Sequence, residues 1–246
     1  MASFARRRMR VVLGIGVLLV VLAPFALWVR NSSLVRVRDV SVKGIHGPQA
    51  DEIRRALRAE GRDMTTLNVR RTALLRAVAQ YPVVRSLRTE TDFPHGLRIV
   101  VNAHEAVAVL RASGGGLTAV AADGTLLRGA TTRGLPVVGV RSLPAGKRLG
   151  RGDTRDAVRL LGAAPRALRL RVARVYRGPR GLTATMADGP KLYFGAAARP
   201  RARWAAAAQV LAHPTSQGAS YVDLRIPERP VAGGLQPRPE NTQPQL

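Results

Sequence analysis

No cysteine occurs among the 246 residues. Disulfide staples, thiol nucleophiles and thiolate-held zinc or iron–sulfur centres are therefore excluded, and stability must come from an ordinary core. Lysine is almost missing as well: Lys43, Lys147 and Lys191 stand beside 37 arginines. Aromatic residues make up 4% of the chain, and 15 acidic residues face 40 basic ones, a formal charge of +25. Charge of that size suits nucleic acid or an anionic surface. Here, however, the arginines are scattered along the chain with few aromatics between them to stack bases, so no nucleic-acid partner is expected.

Catalytic signatures are absent too. The chain has no G-x-S-x-G elbow, no S-x-x-K and no phosphate-binding G-x-x-x-x-G-K-[ST]. Its four histidines, His46, His95, His104 and His213, are far apart, and none falls in an H-x-x-H or H-E-x-x-H spacing, so they read as turn or surface residues. Asp123-Gly124 and Asp188-Gly189 look like hairpin turns and not a carboxylate dyad. Gly114-Gly115-Gly116 precedes no helical pattern and reads as a hairpin end instead of an anion cradle. No catalytic residue, metal site or cofactor is expected, and the chain is not expected to be an enzyme.

What is present begins with 46% apolar residues, enough for a folded core. Residues 11–29, VVLGIGVLLVVLAPFALWV, carry no charge. At helical rise they would cover about 28 Å, close to the hydrocarbon thickness of a bilayer. Arg6, Arg7, Arg8 and Arg10 precede them, which predicts a cytoplasmic N-terminal arm (1–10), a single transmembrane helix (11–29) and everything after Arg30 outside the cytoplasm. A cleaved signal peptide would want a shorter apolar stretch and an A-x-A-like site, which Pro24-Phe25-Ala26 and Trp28-Val29-Arg30 match poorly.

The exported part divides in two. Val35 to Val42 alternates with a slip near Asp39, a strand with a bulge. Pro48 is placed to open a helix with Ile53, Ala56 and Leu57 on its apolar face and Gly61 as its stop. A second helix is predicted over Arg70 to Gln80, then strands over Val83 to Thr91 and Leu97 to Val109, separated by the turn Asp92-Phe93-Pro94-His95-Gly96. The β-α-α-β-β order predicts a small α+β domain over 35–105.

From 106 to 226 short apolar runs are broken by Gly and Pro, the texture of an antiparallel β-rich domain. Helices are expected at Thr154 to Leu161 and at Ala198 to Ala212, the latter with Trp204, Ala208 and Leu211 on one face. Arg166, Arg169, Arg171, Arg174, Arg177 and Arg180 recur between apolar residues. They read as a solvated strand face, the alternative being a cationic face towards anionic lipid or wall polymer. The last strand is expected over Tyr221 to Ile226, with its edge uncovered because Pro227 and a disordered tail (227–246) cannot pair with it.

Several stretches carry a resemblance when taken in order behind such a span. They are Val40-Ser41-Val42-Lys43-Gly44, Tyr81-Pro82-Val83-Val84 and Phe93-Pro94-His95-Gly96-Leu97-Arg98-Ile99, then Asp123-Gly124, Leu135-Pro136, Leu192-Tyr193-Phe194-Gly195 and Tyr221-Val222-Asp223-Leu224-Arg225. Over nearly its whole length the chain resembles the FtsQ/DivIB cell-division proteins. It departs where Ala103-His104-Glu105-Ala106 stands, since that family commonly has Glu and Pro at the positions of Ala103 and Ala106. The resemblance implies a POTRA domain at 35–105 and a family-specific β-domain after it. It also implies a non-enzymatic divisome scaffold at the septum of the plasma membrane, linking early cytoplasmic to late wall-synthesising components. Its implied partners are FtsB/DivIC-like and FtsL-like bitopic proteins, the FtsB-like one expected to dock on Arg203, Tyr221, Val222, Asp223, Leu224, Arg225 and Ile226. The competing expectation, a POTRA-bearing envelope protein acting in protein transport or assembly, would want amphipathic membrane strands after the POTRA module.

Overall fold

The computed structural model describes residues 33–234, which form two compact units divided between Ala103 and His104. The expected span at 11–29 and its basic arm lie outside the described residues. Among those described, no helix is long and apolar enough to cross a membrane.

In the first unit, strand β1 (Asp39–Lys43) is followed by helices α1 (Ala50–Arg62) and α2 (Arg71–Ala77), then β2 (Val84–Asp92) and β3 (Gly96–Ala103). The β-α-α-β-β order is the expected one. The sheet runs β1-β3-β2, with β1 parallel to β3 and β2 antiparallel to it. Spacing at 50, 53, 57 and 61 puts Ala50, Ile53, Leu57 and Gly61 on the buried face of α1. There Ile53 and Leu57 join Leu74 of α2 and Leu87, Leu97, Ile99 and Val101 of the sheet in one core.

Two expectations need correction. Gly61 does not stop α1, which continues to Arg62; a Cβ there would sit 3.2 Å from Val40 and 3.3 Å from Leu97, so the glycine allows the helix to approach the sheet. The strand predicted from Leu97 to Val109 is two strands. It breaks at His104-Glu105, where one unit ends and the next begins.

The second unit opens with β4 (Ala106–Ala112), β5 (Leu117–Ala121), β6 (Leu126–Leu127) and β7 (Val137–Val140). Helices α3 (Asp153–Gly162) and α4 (Arg166–Arg169) follow. Next come β8 (Val172–Gly178), β9 (Gly181–Met186), β10 (Lys191–Gly195), α5 (Pro200–Ala212), β11 (Tyr221–Asp223) and β12 (Val231–Gly233). All nine strands make one sheet in the order β12-β11-β10-β9-β8-β7-β4-β5-β6. The sheet is mixed and not purely antiparallel: β4 with β7, β7 with β8 and β10 with β11 are parallel pairs, each made possible by a crossover connection. The last of these crossovers is α5. Its Trp204 is fully buried against Phe194 of β10, centroid to centroid 4.7 Å, and its indole N–H donates to the Leu160 carbonyl of α3 at 2.8 Å.

The C-terminal expectation also changes. Strand pairing covers only Tyr221–Asp223, and residues 231–233, expected to be disordered, form β12 antiparallel to β11. The strand ends at Asp223, before Pro227; the chain then turns, Arg229 N–H donating to the Ile226 carbonyl at 3.0 Å, and comes back. Val231-Ala232-Gly233 contains a β-branched residue and no proline, which is all that a three-residue pairing requires. Residues 235–246 lie outside the described residues.

Candidate protein-docking face

Pairing register decides what the end of the large sheet presents. Across β8, β9, β10, β11 and β12, one row runs Arg174, Thr185, Lys191, Tyr221 and Gly233. The next runs Tyr176, Thr183, Tyr193, Asp223 and Val231. Residues directly opposite share a face, and two-residue alternation sends Val175, Ala184, Leu192 and Val222 to the other side, where all are buried. Three of the chain's four tyrosines therefore stand on one outer face.

On that face the Tyr193 and Tyr221 rings lie 5.7 Å apart at 46°. The guanidinium of Arg180, from the β8–β9 turn, sits over both, 4.7 Å from the Tyr193 centroid and 5.5 Å from that of Tyr221. Arg174 lies 5.2 Å over Tyr176. Beside them Arg225 clasps Asp223 in a fork, Nε donating to Oδ1 at 3.0 Å and Nη2 to Oδ2 at 2.7 Å, while its backbone N–H donates to Oδ1. The side-chain bonds from Arg225 hold the Asp223 carboxyl below its usual range against the opposing effect of partial burial, with the Arg225 backbone bond and the nearby Arg180 charge adding to the shift. The carboxylate is neutralised in place. The surrounding surface remains cationic.

The seven residues singled out from the sequence sort into three groups. Tyr221, Asp223 and Arg225 share the outer face, and Ile226 is exposed just beyond it. Val222 and Leu224 are wholly buried and belong to the core; the Leu224 N–H continues the ladder to the Tyr193 carbonyl at 2.8 Å. Arg203 is also buried. Its guanidinium donates to the Ala196 carbonyl and, at 3.2 Å, to that of Arg225, tying α5 to the strand ends on either side. Burial, with the neighbouring Arg199 charge, lowers its pKa. The expectation of an uncovered β11 edge is corrected: β12 occupies it, and the open ladder of this sheet end is β12's own.

Sequence reasoning missed Arg180, Tyr193 and Val231 as members of this face. Only Tyr193 carried a usable signal, the alternation of Leu192, Tyr193 and Phe194. Arg180 looked like one more arginine of a series. That series has no common role: Arg169 is buried and paired with Glu105, Arg177 meets Asp153 at 2.8 Å, and Arg174 and Arg180 lie on tyrosines.

Among the described residues no group of three His, Asp or Glu side chains could hold a metal ion. His95 Nδ1 lies 3.1 Å from the Arg36 carbonyl, 59 positions away in the chain, and His213 Nδ1 lies 2.8 Å from the Thr215 hydroxyl in a local turn contact.

Two family models match the chain. The model described as POTRA domain, FtsQ-type, covers residues 35–104, and that described as Cell division protein FtsQ/DivIB, C-terminal, covers 108–225. No curated protein matches the chain. The first match coincides with the three-stranded unit and the second with the nine-stranded unit as far as Arg225, and on that ground the chain belongs to the FtsQ/DivIB family of cell-division proteins.

Proposed function

We propose that this protein is a non-enzymatic scaffold of the division machinery at the septum. Residues 11–29 cross the plasma membrane with the N-terminus in the cytoplasm, and both folded units work outside. Its partners are FtsB/DivIC-like and FtsL-like bitopic proteins, and through them it links early cytoplasmic to late wall-synthesising components. The observation that carries this reading is the end of the large sheet, where a terminal three-residue strand, β12, adjoins a face of tyrosines overlaid by arginines. A strand edge supplies main-chain hydrogen bonds to an extended partner segment. Tyrosine and arginine are the side chains that most often carry the energy of protein interfaces, and the positive surface calls for an acidic segment.

Tyr221, Asp223, Arg225 and Ile226 meet that partner directly, together with Arg180 and Tyr193. Val222, Leu224 and Arg203 hold the face in position from beneath. In-cell crosslinking of the full-length chain, followed by identification of what co-purifies, tests the scaffold reading. The expected outcome is small bitopic division proteins on the wild type and their loss from Arg180→Glu and Arg225→Glu variants that still fold. Recovery of the same partners from both variants, and from a chain lacking residues 231–246, would sink the assignment of this face.

A further inference from the structure

Three segments of the first unit are fastened together at one end of its sheet. The Thr66 backbone N–H donates to the Val35 carbonyl at 2.8 Å, and its hydroxyl donates to the carbonyls of Val35 at 3.3 Å and Pro94 at 3.0 Å. Val37 N–H donates to the Met64 carbonyl and Arg38 N–H to that of His95. Each segment carries a large apolar side chain in solvent next to these ties: Leu34 is 65% exposed, Leu67 50% and Phe93 69%. Packing within the unit gives no reason for two or three such residues on adjoining loops.

Arginine surrounds them. Two neighbouring clefts that share Arg62 are lined by Arg36, Arg38, Arg58, Arg62, Arg70 and Arg98. Asp39, Asp63 and Asp92 offset only part of this charge. Arg98 pairs with Glu90 at 3.3 Å and Arg70 donates to the Asp63 carbonyl, whereas Arg36, Arg38, Arg58 and Arg62 spend their charge on no acidic side chain among the described residues. Exposed Leu and Phe ringed by arginine is the composition of surfaces that lie in a membrane interface, apolar tips at the acyl boundary and guanidinium groups on phosphates. A free polyanion would use the arginines but leave Leu67 and Phe93 without purpose.

We infer that this end of the POTRA unit rests on the outer surface of the membrane, with Leu67 and Phe93 at the headgroup level and the Arg36, Arg38 and Arg62 guanidinium groups on the phosphates of anionic phospholipid. The inference rests on the reading of 11–29 as a membrane span. Arg36 follows Val29 by seven positions, a reach of no more than about 25 Å even fully extended, so the span itself delivers this end of the unit to the bilayer surface.

The absence of cysteine allows a direct test, because any introduced cysteine is the single thiol. The full chain is placed in lipid nanodiscs with a fluorophore on Leu67→Cys, on Phe93→Cys, on His46→Cys beyond the opposite end of the sheet, or on Leu19→Cys within the apolar stretch. Quenching by spin labels at the headgroup or deep in the acyl chains reports depth. The expected result is headgroup-level quenching at 67 and 93 but not at 46 in discs containing phosphatidylglycerol. It should weaken about threefold or more in phosphatidylcholine discs, or when Arg36, Arg38 and Arg62 are changed to Gln. Deep quenching at 19 with 67 and 93 no closer than 46 would overturn the inference and leave the span standing. No quenching at 19 would overturn the span and the inference with it. Equal quenching in both lipids, unmoved by the Gln changes, would overturn the role given to anionic lipid.

Discussion

Arg180 and Tyr221 are 41 positions apart in the sequence, yet the guanidinium carbon of the first lies 5.5 Å from the ring centroid of the second. The same group lies 4.7 Å from Tyr193, so one exposed cation bridges two strands that pair in parallel, β10 and β11. Exposed cation–π contacts contribute only about 0.5–1 kcal/mol. Such a residue is of little account to the fold and well placed for a partner.

Arg180→Ala is therefore expected to change thermal stability by no more than about 1 kcal/mol while weakening partner capture at least tenfold, the scale of an interface hot spot. Denaturation of a fragment spanning residues 33–246 and quantitative co-purification of the full chain give the two numbers. A large loss of stability with intact capture would reverse the assignment.

Trp204 is expected to behave in the opposite way. It is fully buried, packs on Phe194 and satisfies the Leu160 carbonyl, so Trp204→Ala should cost about 3–5 kcal/mol. Trp204→Phe keeps most of the packing but removes the donor, at about 1–3 kcal/mol. Urea titration distinguishes the two.

Glu105 is the hydrogen-bonding partner of Arg169, whose side chain is only 8% exposed and whose Nε has no hydrogen-bond partner among the described residues. Removing the carboxylate strands a buried guanidinium, so Glu105→Ala should lower stability by about 1–3 kcal/mol. Partner capture at folding temperatures should survive. A Glu105→Ala, Arg169→Met double variant should recover part of the loss, because the stranded charge goes with it.

The Asp223–Arg225 fork sets an acid limit. With its folded pKa below the ordinary carboxylate value of about 3.9, Asp223 contributes stability that is complete above that value and lost as pH falls through the lowered folded one. Stability should be flat with respect to this group from pH 5 to 8, near-neutral values far above its titration. In Asp223→Asn the corresponding part of the acid-unfolding limb should disappear, as measured by denaturation between about pH 2 and 5.

Periodicity made four of the five described α-helices and the strands of the first unit legible, whereas Arg166–Arg169, read as part of a strand face, is a short helix. Ile53 and Leu57 announced the buried face of α1, and Trp204 that of α5, because spacing along a helix is local information. Strand partners are not local. Nothing in Val231-Ala232-Gly233 distinguishes a three-residue edge strand from the polar tail around it, and pairing with Tyr221–Asp223 is decided by a return of the chain. The same limit hid Arg180, whose tyrosines arrive from two other strands. Buried Val222 and Leu224 and half-buried Tyr221 are separable by alternation alone, whereas burial of Arg203 depends on carbonyls 7 and 22 residues away.

The parallel pairing of β10 with β11 makes the end of the sheet depend on the last residues of the domain. Tyr221 is joined to its place beside Lys191 through the α5 crossover, and β12 is joined to the sheet through β11 alone. A polypeptide interrupted between Gly195 and Tyr221 therefore carries Arg180 and Tyr193 but neither β11 nor β12. Recruitment through that edge, under the proposed docking, would act as a completion check: half-made molecules stay silent, and only a finished domain can enlist its neighbours.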